Sequence, residues 1–186
     1  MRTYSVTFGG QSNREGSAAM DYLVRPARTR DVRSVRRLVD ANVASGRLLD
    51  KATVTLYEDV QEFLVADRAS DGQVVGCGAL HVMWEDLAEI RTIAVDESCQ
   101  REGVGYQIVE ALLARARELG VGRVFVLTFA VKFFGRLGFE EISGTAASPE
   151  VYAELLRSYD EGVAEFLDLD RVKPNTLGNA RMLLHL

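Results

Sequence analysis

The chain has 186 residues, of which 47% are hydrophobic, and its formal net charge is −5. This length and apolar content predict a single domain whose core needs neither disulfides nor a structural metal. The negative charge argues against nucleic acid as a partner, and every uncharged run is shorter than the roughly 20 residues of a membrane helix.

The expected location follows from the amino terminus and the two cysteines. Residues 1–8 lack the apolar core of a signal peptide. Cys77 lies in an apolar run and Cys99 in a loop, and neither belongs to a metal-ligand cluster or a disulfide framework. We therefore expect reduced thiols, no bound metal and a cytoplasmic protein.

The first predicted elements follow a polar start. Residues 9–19 are rich in Gly and Ser, so we expect residues 1–20 to be a flexible tail and residues 21–186 to be the domain. A strand is predicted over residues 22–25. Thr29 or Asp31 is expected to cap a helix that ends at Gly46. Its apolar positions recur at helical spacing: Val32, Val35, Leu38, Val39 and Val43.

The amino-terminal part also contains an arginine cluster, which we interpret as a solvated helix face. Its members are Arg25, Arg28, Arg30, Arg33, Arg36 and Arg37.

A hairpin and a central strand are predicted next. Thr55 and Glu58 have capping-box spacing and predict a short helix through Val60. Residues 63–66 and 74–83 read as two strands of a hairpin turned at Asp71-Gly72. After a turn over residues 84–87, residues 89–95 read as another strand.

The loop Gln100-Arg101-Glu102-Gly103-Val104-Gly105 carries the clearest chemical signal. It follows the strand of residues 89–95 and precedes a predicted helix over residues 106–119, closed by Gly120. Gly103 and Gly105 have no Cβ, so the backbone can turn tightly and a ligand can approach amides that have no intrahelical partner. The loop therefore predicts an anion cradle for a phosphorylated cofactor.

The remaining elements complete a mixed sheet. Residues 124–127 form a continuous apolar run, and a helix separates them from residues 89–95, so we expect these two strands to pair in parallel. A short helix over residues 132–137, a strand over 139–142, a helix with Pro149 after the cap Ser148, and a final strand over 180–186 follow.

This order of strand, Gln-x-x-Gly-x-Gly loop and helix, with Phe133-Phe134-Gly135-Arg136-Leu137-Gly138-Phe139 after the next strand, resembles the GNAT acetyltransferase superfamily. The resemblance covers about residues 21–142 and implies an α/β GNAT fold, a mixed sheet of about six to seven strands with helices on both faces. It implies acetyl-CoA as cosubstrate, with its pyrophosphate on the loop amides from Arg101 to Tyr106 and its pantetheine arm on the backbone of Ile93 and Val95. It also implies that the strand after the helix diverges from residues 89–95 and leaves a gap for the thioester.

The donor-binding residues that the resemblance implies are Ile93, Ala94, Val95, Gln100, Arg101, Glu102, Gly103, Val104, Gly105 and Tyr106, with Phe133 and Phe134 along the CoA arm.

A closer resemblance is to the short actinobacterial N-acetylglutamate synthases. It rests on Leu48-Leu49-Asp50-Lys51, Val54-Thr55-Leu56-Tyr57-Glu58, Gly76-Cys77-Gly78-Ala79-Leu80, Glu89-Ile90-Arg91-Thr92, Phe125-Val126-Leu127-Thr128, Ser158-Tyr159-Asp160, the segment from Gly162 to Leu169, Lys173-Pro174-Asn175 and Gly178-Asn179-Ala180-Arg181-Met182. It implies direct acetyl transfer to the α-amino group of L-glutamate in arginine biosynthesis, with no acyl-enzyme. The acceptor-binding residues implied are Lys51, Arg91, Thr92, Leu127, Lys132, Lys173 and Arg181.

The resemblance makes Glu89 the candidate general base, since many GNAT enzymes carry a glutamate there. The ordinary pKa of a glutamate is about 4.3, far below that of an amine, so burial or a relay would help. Strand alternation predicts Glu89, Arg91 and Ile93 on one face, where Arg91 could bind a substrate carboxylate. The alternatives are a strand-end carboxylate for Glu89 and a structural ion pair for Arg91.

The usual proton donor for the leaving thiolate has no counterpart in this sequence. Phe134 stands where the superfamily often has a tyrosine acid, so Thr128, which matches a small hydroxyl residue of larger N-acetylglutamate synthases, is the candidate. Its alternative is a solvent-facing strand residue.

The remaining ionisable candidates divide into cations and histidines. Lys51, Arg91, Lys132, Lys173 and Arg181 are the cations available for the two carboxylates of glutamate, and each is otherwise a surface cation. His81 and His185 have no partner at motif spacing and are expected to be packed or edge residues.

The expected function is therefore that of an acetyl-CoA:L-glutamate N-acetyltransferase, with a homodimer as an open alternative. Cys77 and Cys99 are not expected to be acyl carriers, because neither has a histidine or a basic neighbour in the sequence. Two rivals stay open. One is a GNAT enzyme for another small amine or a protein N-terminus, and the other is a non-catalytic acetyl-CoA sensor.

Overall fold

The computed structural model describes residues 22–43, 48, 50–167, 169 and 178–186. The predicted tail of residues 1–20, the predicted helix end at Gly46 and the candidate Lys173 lie outside the described residues. No helix in the described ranges is both long enough and apolar enough to span a membrane.

Seven strands and six α-helices make up the described chain. The strands are β1 Tyr22–Pro26, β2 Phe63–Arg68, β3 Val74–Trp84, β4 Leu87–Val95, β5 Arg123–Thr128, β6 Glu140–Glu141 and β7 Ala180–His185. The helices are α1 Val32–Val43, α2 Thr53–Glu58, α3 Val104–Glu118, α4 Val131–Gly135, α5 Pro149–Leu155 and α6 Glu161–Phe166. Short 3-10 helices over Thr29–Asp31, Val60–Glu62 and Glu97–Cys99 precede α1, β2 and the Gly-bearing loop.

The strands form one mixed sheet in the order β1-β2-β3-β4-β5-β7-β6. β4 and β5 pair in parallel, as the intervening helix predicted, whereas β7 runs antiparallel to both β5 and β6. The α/β mixed-sheet class is therefore confirmed. The last strand of the chain, β7, pairs with β5 from Arg123↔His185 to Thr128↔Ala180.

The chain divides into two compact units, Met1–Gly78 with Thr92–Ala111 and Ala79–Arg91 with Leu112–Leu186. In the first unit, fully buried Val39 of α1 and Leu64 and Val65 of β2 belong to the core. In the second unit, Phe125 of β5 meets Phe166 of α6 edge to face, with ring centroids 5.0 Å apart. Burial of such residues supplies most of the free energy that favours each folded unit.

Helix starts were the least accurate part of the sequence prediction. Thr55 does not cap α2, because the helix begins two residues earlier and Ala52 occupies the cap position. Thr29 and Asp31 lie within the 3-10 helix that precedes α1; Arg28 is the cap of that 3-10 helix, and its backbone NH donates to Asp31 Oδ2 at 2.8 Å. By contrast, Ser148 caps α5 with Pro149 at its first position, as predicted.

Candidate active site

The Gly-bearing loop turns on two residues with left-handed backbones. Arg101 has φ 69° and Gly103 has φ 85°, and α3 then begins at Val104, two residues earlier than predicted. Gly105 consequently lies inside the first helical turn. Gln107 N donates to Gly103 O at 3.0 Å, so the amides before it are those that a helix leaves without an intrahelical partner. The geometry is that of an anion cradle.

The loop side chains differ in their exposure. Gln100, Arg101, Glu102, Gly103 and Tyr106 are exposed, whereas Val104 is buried and can offer a ligand only its backbone.

Side-chain contacts from three elements hold this loop in place. Arg37 of α1 contacts Asp96 with Nη1 2.9 Å from Oδ2, and Asp96 in turn accepts from Ser98 N at 3.1 Å. Tyr22 of β1 donates its hydroxyl hydrogen to Glu102. The Arg37 contact shows that the arginine cluster is not only a solvated face, since this member fixes the chain entering the loop.

Arg68 of β2 supplies the third contact and corrects the expectation for Cys99. Its Nη2 lies 3.3 Å from Cys99 Sγ, so Cys99 does have a basic neighbour, 31 residues away in sequence. Burial opposes ionisation of the thiol, but hydrogen bonds from Arg68, Ser98 and Tyr22 hold the pKa of Cys99 below its ordinary value. Cys99 is only 1% exposed, which suits a residue that anchors the loop more than a nucleophile.

Cys77 has the opposite environment. Its side chain is fully buried in β3, and burial raises the pKa of its thiol to about 12. Its Sγ lies 3.8 Å from the carbonyl oxygen of Thr92. Cys77 therefore behaves as an apolar core residue.

Gly76 also belongs to this region, although no sequence pattern predicted a structural role for it. A Cβ at Gly76 would lie 2.8 Å from Ile108 Cδ1 and 2.9 Å from Val104 Cγ1, both on α3. The helix thus packs directly on the backbone of β3, which places its first turn relative to the loop. The signal available in the sequence was a glycine inside a strand, which marks a close approach.

Within β4, the predicted alternation fails at Thr92. This residue has φ 58°, a left-handed conformation that is strained for a β-branched side chain. Alternation depends on regular extended backbone, so the prediction that Ile93 shares a face with Glu89 and Arg91 does not follow in this strand. Thr92 and Ala94 are buried, whereas Ile93 and Val95 are partly exposed.

The described part of the second unit brings Glu89 and Arg91 together with the segment before α6. Glu89 is 3% exposed and Arg91 is 9% exposed. Arg91 Nη1 lies 2.8 Å from Asp160 Oδ1. A Cβ at Gly162 would lie 2.9 Å from both Arg91 Nη1 and Glu89 Oε2. These four residues form what we call the acceptor cluster.

Charge governs the acceptor cluster because its members are largely shielded from water. Burial alone would raise the pKa of Asp160, but the charge of Arg91, the Val163 amide and the charge of His81 together hold it below its ordinary value. The sequence shows no partner for His81 at motif spacing, and only in the folded chain does its charge act on Asp160.

Thr128 closes β5 with its side chain turned back on the chain. It is 9% exposed, and its Oγ1 accepts from Ala130 N at 2.9 Å. The interpretation of Thr128 as a solvent-facing residue is therefore wrong. A hydroxyl that accepts one hydrogen bond retains its own hydrogen to donate.

The two phenylalanines after β5 occupy different environments. Phe134 is 4% exposed and packs edge to face with Phe133 and Phe139, at 5.0 Å and 5.3 Å between ring centroids. Phe133 is partly exposed, as is Leu127, whereas Lys132 is exposed.

Two predicted cations make contacts that bear on their roles. Arg181 of β7 donates from Nε to Gly144 O at 2.9 Å and from Nη2 to Phe166 O, and its guanidinium lies 5.1 Å from the Phe125 ring centroid. In the first unit, the Lys51 carbonyl oxygen accepts from Arg36, which also contacts Asp50 at 2.7 Å. Arg36 thereby fixes the loop that carries Lys51.

Glu89 also marks the end of a strand pairing. Across the described residues of β4 and β5, the parallel ladder joins Leu87 to Arg123, Ala88 to Val124 and Glu89 to Phe125. The base candidate thus lies where the ladder ends, consistent with the expected divergence of the two strands.

Comparison with known proteins gives the family. Residues 49–139 match the model of the Acetyltransferase (GNAT) family. An amino-acid acetyltransferase of Mycobacterium tuberculosis (strain H37Rv) is 59% identical over 163 residues, which cover 87% of this chain and 93% of the relative. An uncharacterized N-acetyltransferase of Chlorobaculum tepidum is 39% identical over 67% of this chain and 79% of its own length.

Solved structures agree with these matches. Rv2747 of M. tuberculosis, crystallised in complex with CoA, has a TM-score of 0.85 at 59% identity, over 88% of this chain and 98% of that one. N-acetylglutamate synthase of Neisseria gonorrhoeae, complexed with coenzyme A and N-acetyl-glutamate, has a TM-score of 0.70 at 21% identity, over 89% of this chain and 35% of that one, and supports the fold alone. The extent of identity to the M. tuberculosis enzyme, together with the mixed sheet and its Gly-bearing loop, shows that this chain belongs to the GNAT family of acetyltransferases.

Proposed function

We propose that this enzyme transfers the acetyl group of acetyl-CoA directly to the α-amino group of L-glutamate. The observation that carries the proposal is the acceptor cluster, in which a buried carboxyl group, Glu89, and a buried guanidinium, Arg91, share one strand. The 59% identity to an amino-acid acetyltransferase supports an amino acid as the acceptor. The implied place in arginine biosynthesis belongs to the same proposal.

The donor would bind to the loop in the first unit. Amides from Arg101 to Tyr106 would hold the pyrophosphate of acetyl-CoA, because the left-handed backbones of Arg101 and Gly103 turn the chain into the open start of α3. The backbone of Ile93 and Val95 would hydrogen-bond the pantetheine arm. The contacts from Arg37, Arg68 and Tyr22 hold the loop before the donor arrives, which lowers the entropy cost of binding.

In the reaction, Glu89 removes a proton from the ammonium group of the acceptor, directly or through one water. The amine then attacks the thioester carbonyl carbon and forms the new C–N bond. When the tetrahedral intermediate collapses, the C–S bond breaks and the CoA sulfur leaves as a thiolate. Thr128 is the proposed proton donor to that sulfur, directly or through water. The nitrogen loses a second proton as the amide forms, and this proton restores the Thr128 hydroxyl, while the first proton passes from Glu89 to solvent, so the step is balanced.

Arg91 is the proposed clamp for an acceptor carboxylate, since it is buried on the strand that carries the base. Glutamate has a second carboxylate, which requires another cation or amide donors. Lys51, Lys132 and Lys173 stay candidates for this second clamp. The hydrogen bonds of Arg181 to two carbonyl oxygens favour a structural role for that residue.

The experiment is an assay of CoA release with a panel of L-amino acids, with the acetylated product identified by mass spectrometry. We expect glutamate to give the highest kcat/KM. Glutamine tests the second clamp, because it keeps the α-carboxylate and removes only the side-chain charge. Equal rates across unrelated amino acids would contradict the proposal, and saturable CoA binding without product would favour the sensor.

A further inference from the structure

One carboxylate oxygen of Asp160 accepts two hydrogen bonds. Its Oδ1 accepts from Arg91 Nη1 at 2.8 Å and from the backbone NH of Val163, in α6, at 3.0 Å. Asp160 N also donates to Ser158 Oγ at 3.1 Å. Contacts with Ser158 and Val163, close in sequence, therefore hold Asp160 in place independently of its contact with the Arg91 guanidinium.

Gly162 brings the backbone of the same segment against the other members of the cluster. A Cβ at this position would lie 2.9 Å from Glu89 Oε2 and 2.9 Å from Arg91 Nη1. Both distances are too short for a Cβ contact, so these side chains or the backbone of α6 would have to move. Since both groups are buried, neither can move into solvent without cost. A residue without a Cβ is what lets the first turn of α6 pack on the two side chains.

A buried guanidinium is held by its partners, and its direction depends on where they lie. The side chain of Arg91 is 8% exposed, and Asp160, at 25%, is the more accessible member of the pair. The Asp160 contact draws Arg91 toward α6, on the side where the Gly162 backbone also meets Glu89. This contact spans 69 positions of sequence.

We propose that Asp160 is a positioning residue that holds Arg91 in the direction needed to bind the acceptor carboxylate, with Gly162 leaving room for Arg91 and Glu89. The inference rests on the proposed function, in which Arg91 binds the acceptor. In this role Asp160 acts through Arg91 and not on acetyl-CoA or the reacting atoms. Its loss acts on acceptor binding and leaves donor binding intact.

The first test is Asp160→Asn. Asparagine still accepts the Val163 hydrogen bond and caps α6, but it carries no charge to attract Arg91. We expect KM for the amino-acid acceptor to rise roughly fivefold to tenfold, because a charge-assisted hydrogen bond becomes a neutral one. KM for acetyl-CoA stays at the wild-type value.

The second test is Gly162→Ala, which leaves every charge in place and adds one Cβ beside Arg91 and Glu89. We expect a rise in acceptor KM in the same direction, together with a fall in kcat because Glu89 is also displaced. Ser148→Ala is the matched control: it removes the hydrogen bond at 3.4 Å that caps α5 and should lower Tm without changing the acceptor KM.

Two results would overturn the proposal. One is an Asp160→Asn enzyme with the wild-type acceptor KM, which would leave Asp160 as a helix cap only. The other is an equal rise in KM for both substrates, which would indicate a general loss of structure. If the wild-type enzyme acetylates no amino acid, the proposed function fails first. A crystal structure of Asp160→Asn then decides the positioning role: a displaced Arg91 supports it and an unchanged Arg91 contradicts it.

Discussion

The loop from Gln100 to Gly105, proposed to bind the donor and here called the donor loop, and the acceptor cluster are built in opposite ways. The loop is a run of neighbouring residues, mostly exposed, that offers backbone amides shaped by left-handed φ angles. The cluster joins buried side chains of β4 to a carboxylate 69 positions away. Backbone conformation should therefore decide the effect of a substitution in the loop, whereas charge and fit should decide it in the cluster.

The most severe test of this contrast is Glu89→Gln. We expect kcat to fall at least about a hundredfold, because the amide has the shape of the carboxyl group but cannot act as a general base. CoA binding should be unchanged, since the donor loop is built from other residues. Steady-state kinetics and a direct CoA titration measure the two effects separately. Glu85→Gln, in the exposed turn before β4, is the control and should keep wild-type kinetics.

The loop is tested by Gly103→Ala. Nothing lies within 4 Å of a Cβ at this position, so the cost arises only from φ 85° and should be about 1–2 kcal/mol. We expect KM for acetyl-CoA to rise roughly tenfold while kcat at saturating donor changes little. Gly122→Ala is the matched control. A Cβ at Gly122 also has no atom within 4 Å, but the φ of Gly122 is not positive, so the substitution adds no backbone strain. An equal effect of both substitutions would contradict the backbone interpretation.

A smaller effect should appear in the pH dependence of stability. Because the pKa of Asp160 lies below its ordinary value, the unfolded chain takes up this proton before the folded chain does. The stabilisation by Asp160 is thus fully present above about pH 4 and is lost as the pH falls below it. Urea unfolding of wild type and Asp160→Asn should give a difference at neutral pH that shrinks in acid. A difference that grew in acid would have the wrong sign.

The smallest expected effect concerns the cysteines. Cys77→Ala and Cys99→Ala should each retain kcat within about threefold, because direct transfer needs no acyl-enzyme. Cys99→Ala should raise KM for acetyl-CoA slightly, since it removes the sulfur that Arg68 contacts. Circular dichroism checks folding. Loss of kcat in a folded variant, or a mass increase of one acetyl group on the wild-type chain, would show that the mechanism is not direct.

Much of the fold was predictable because its signals are local. The apolar run of residues 124–127, the Ser148-Pro149 start of α5 and the Gly120 end of α3 each reflect short-range rules of burial and backbone conformation. The start of α2 was not predicted, because a threonine with capping-box spacing lies inside the helix there. Propensity is a weak preference that packing of buried Leu56 can outweigh.

The candidate site divides in the same way. The loop from Gln100 to Gly105 could be recognised from consecutive residues, since two glycines between a strand and a helix are a local pattern. The Arg68 contact with Cys99 and the role of Gly76 could not be recognised from the sequence, because both depend on how distant elements pack. The failure of alternation at Thr92 was equally hidden, since a threonine in a strand gives no warning of a positive φ.

The sequence by itself determined the mixed α/β class and the donor loop, because strand periodicity and glycine placement act over a few residues, and its resemblance to GNAT enzymes made Glu89 and Arg91 candidates. Only the tertiary structure decided that Arg91 contacts Asp160, that Gly162 must be small and that the charge of His81 acts on Asp160. The physical reason is that charge pairing and steric fit act through space, and the chain brings these groups together only when the second unit folds.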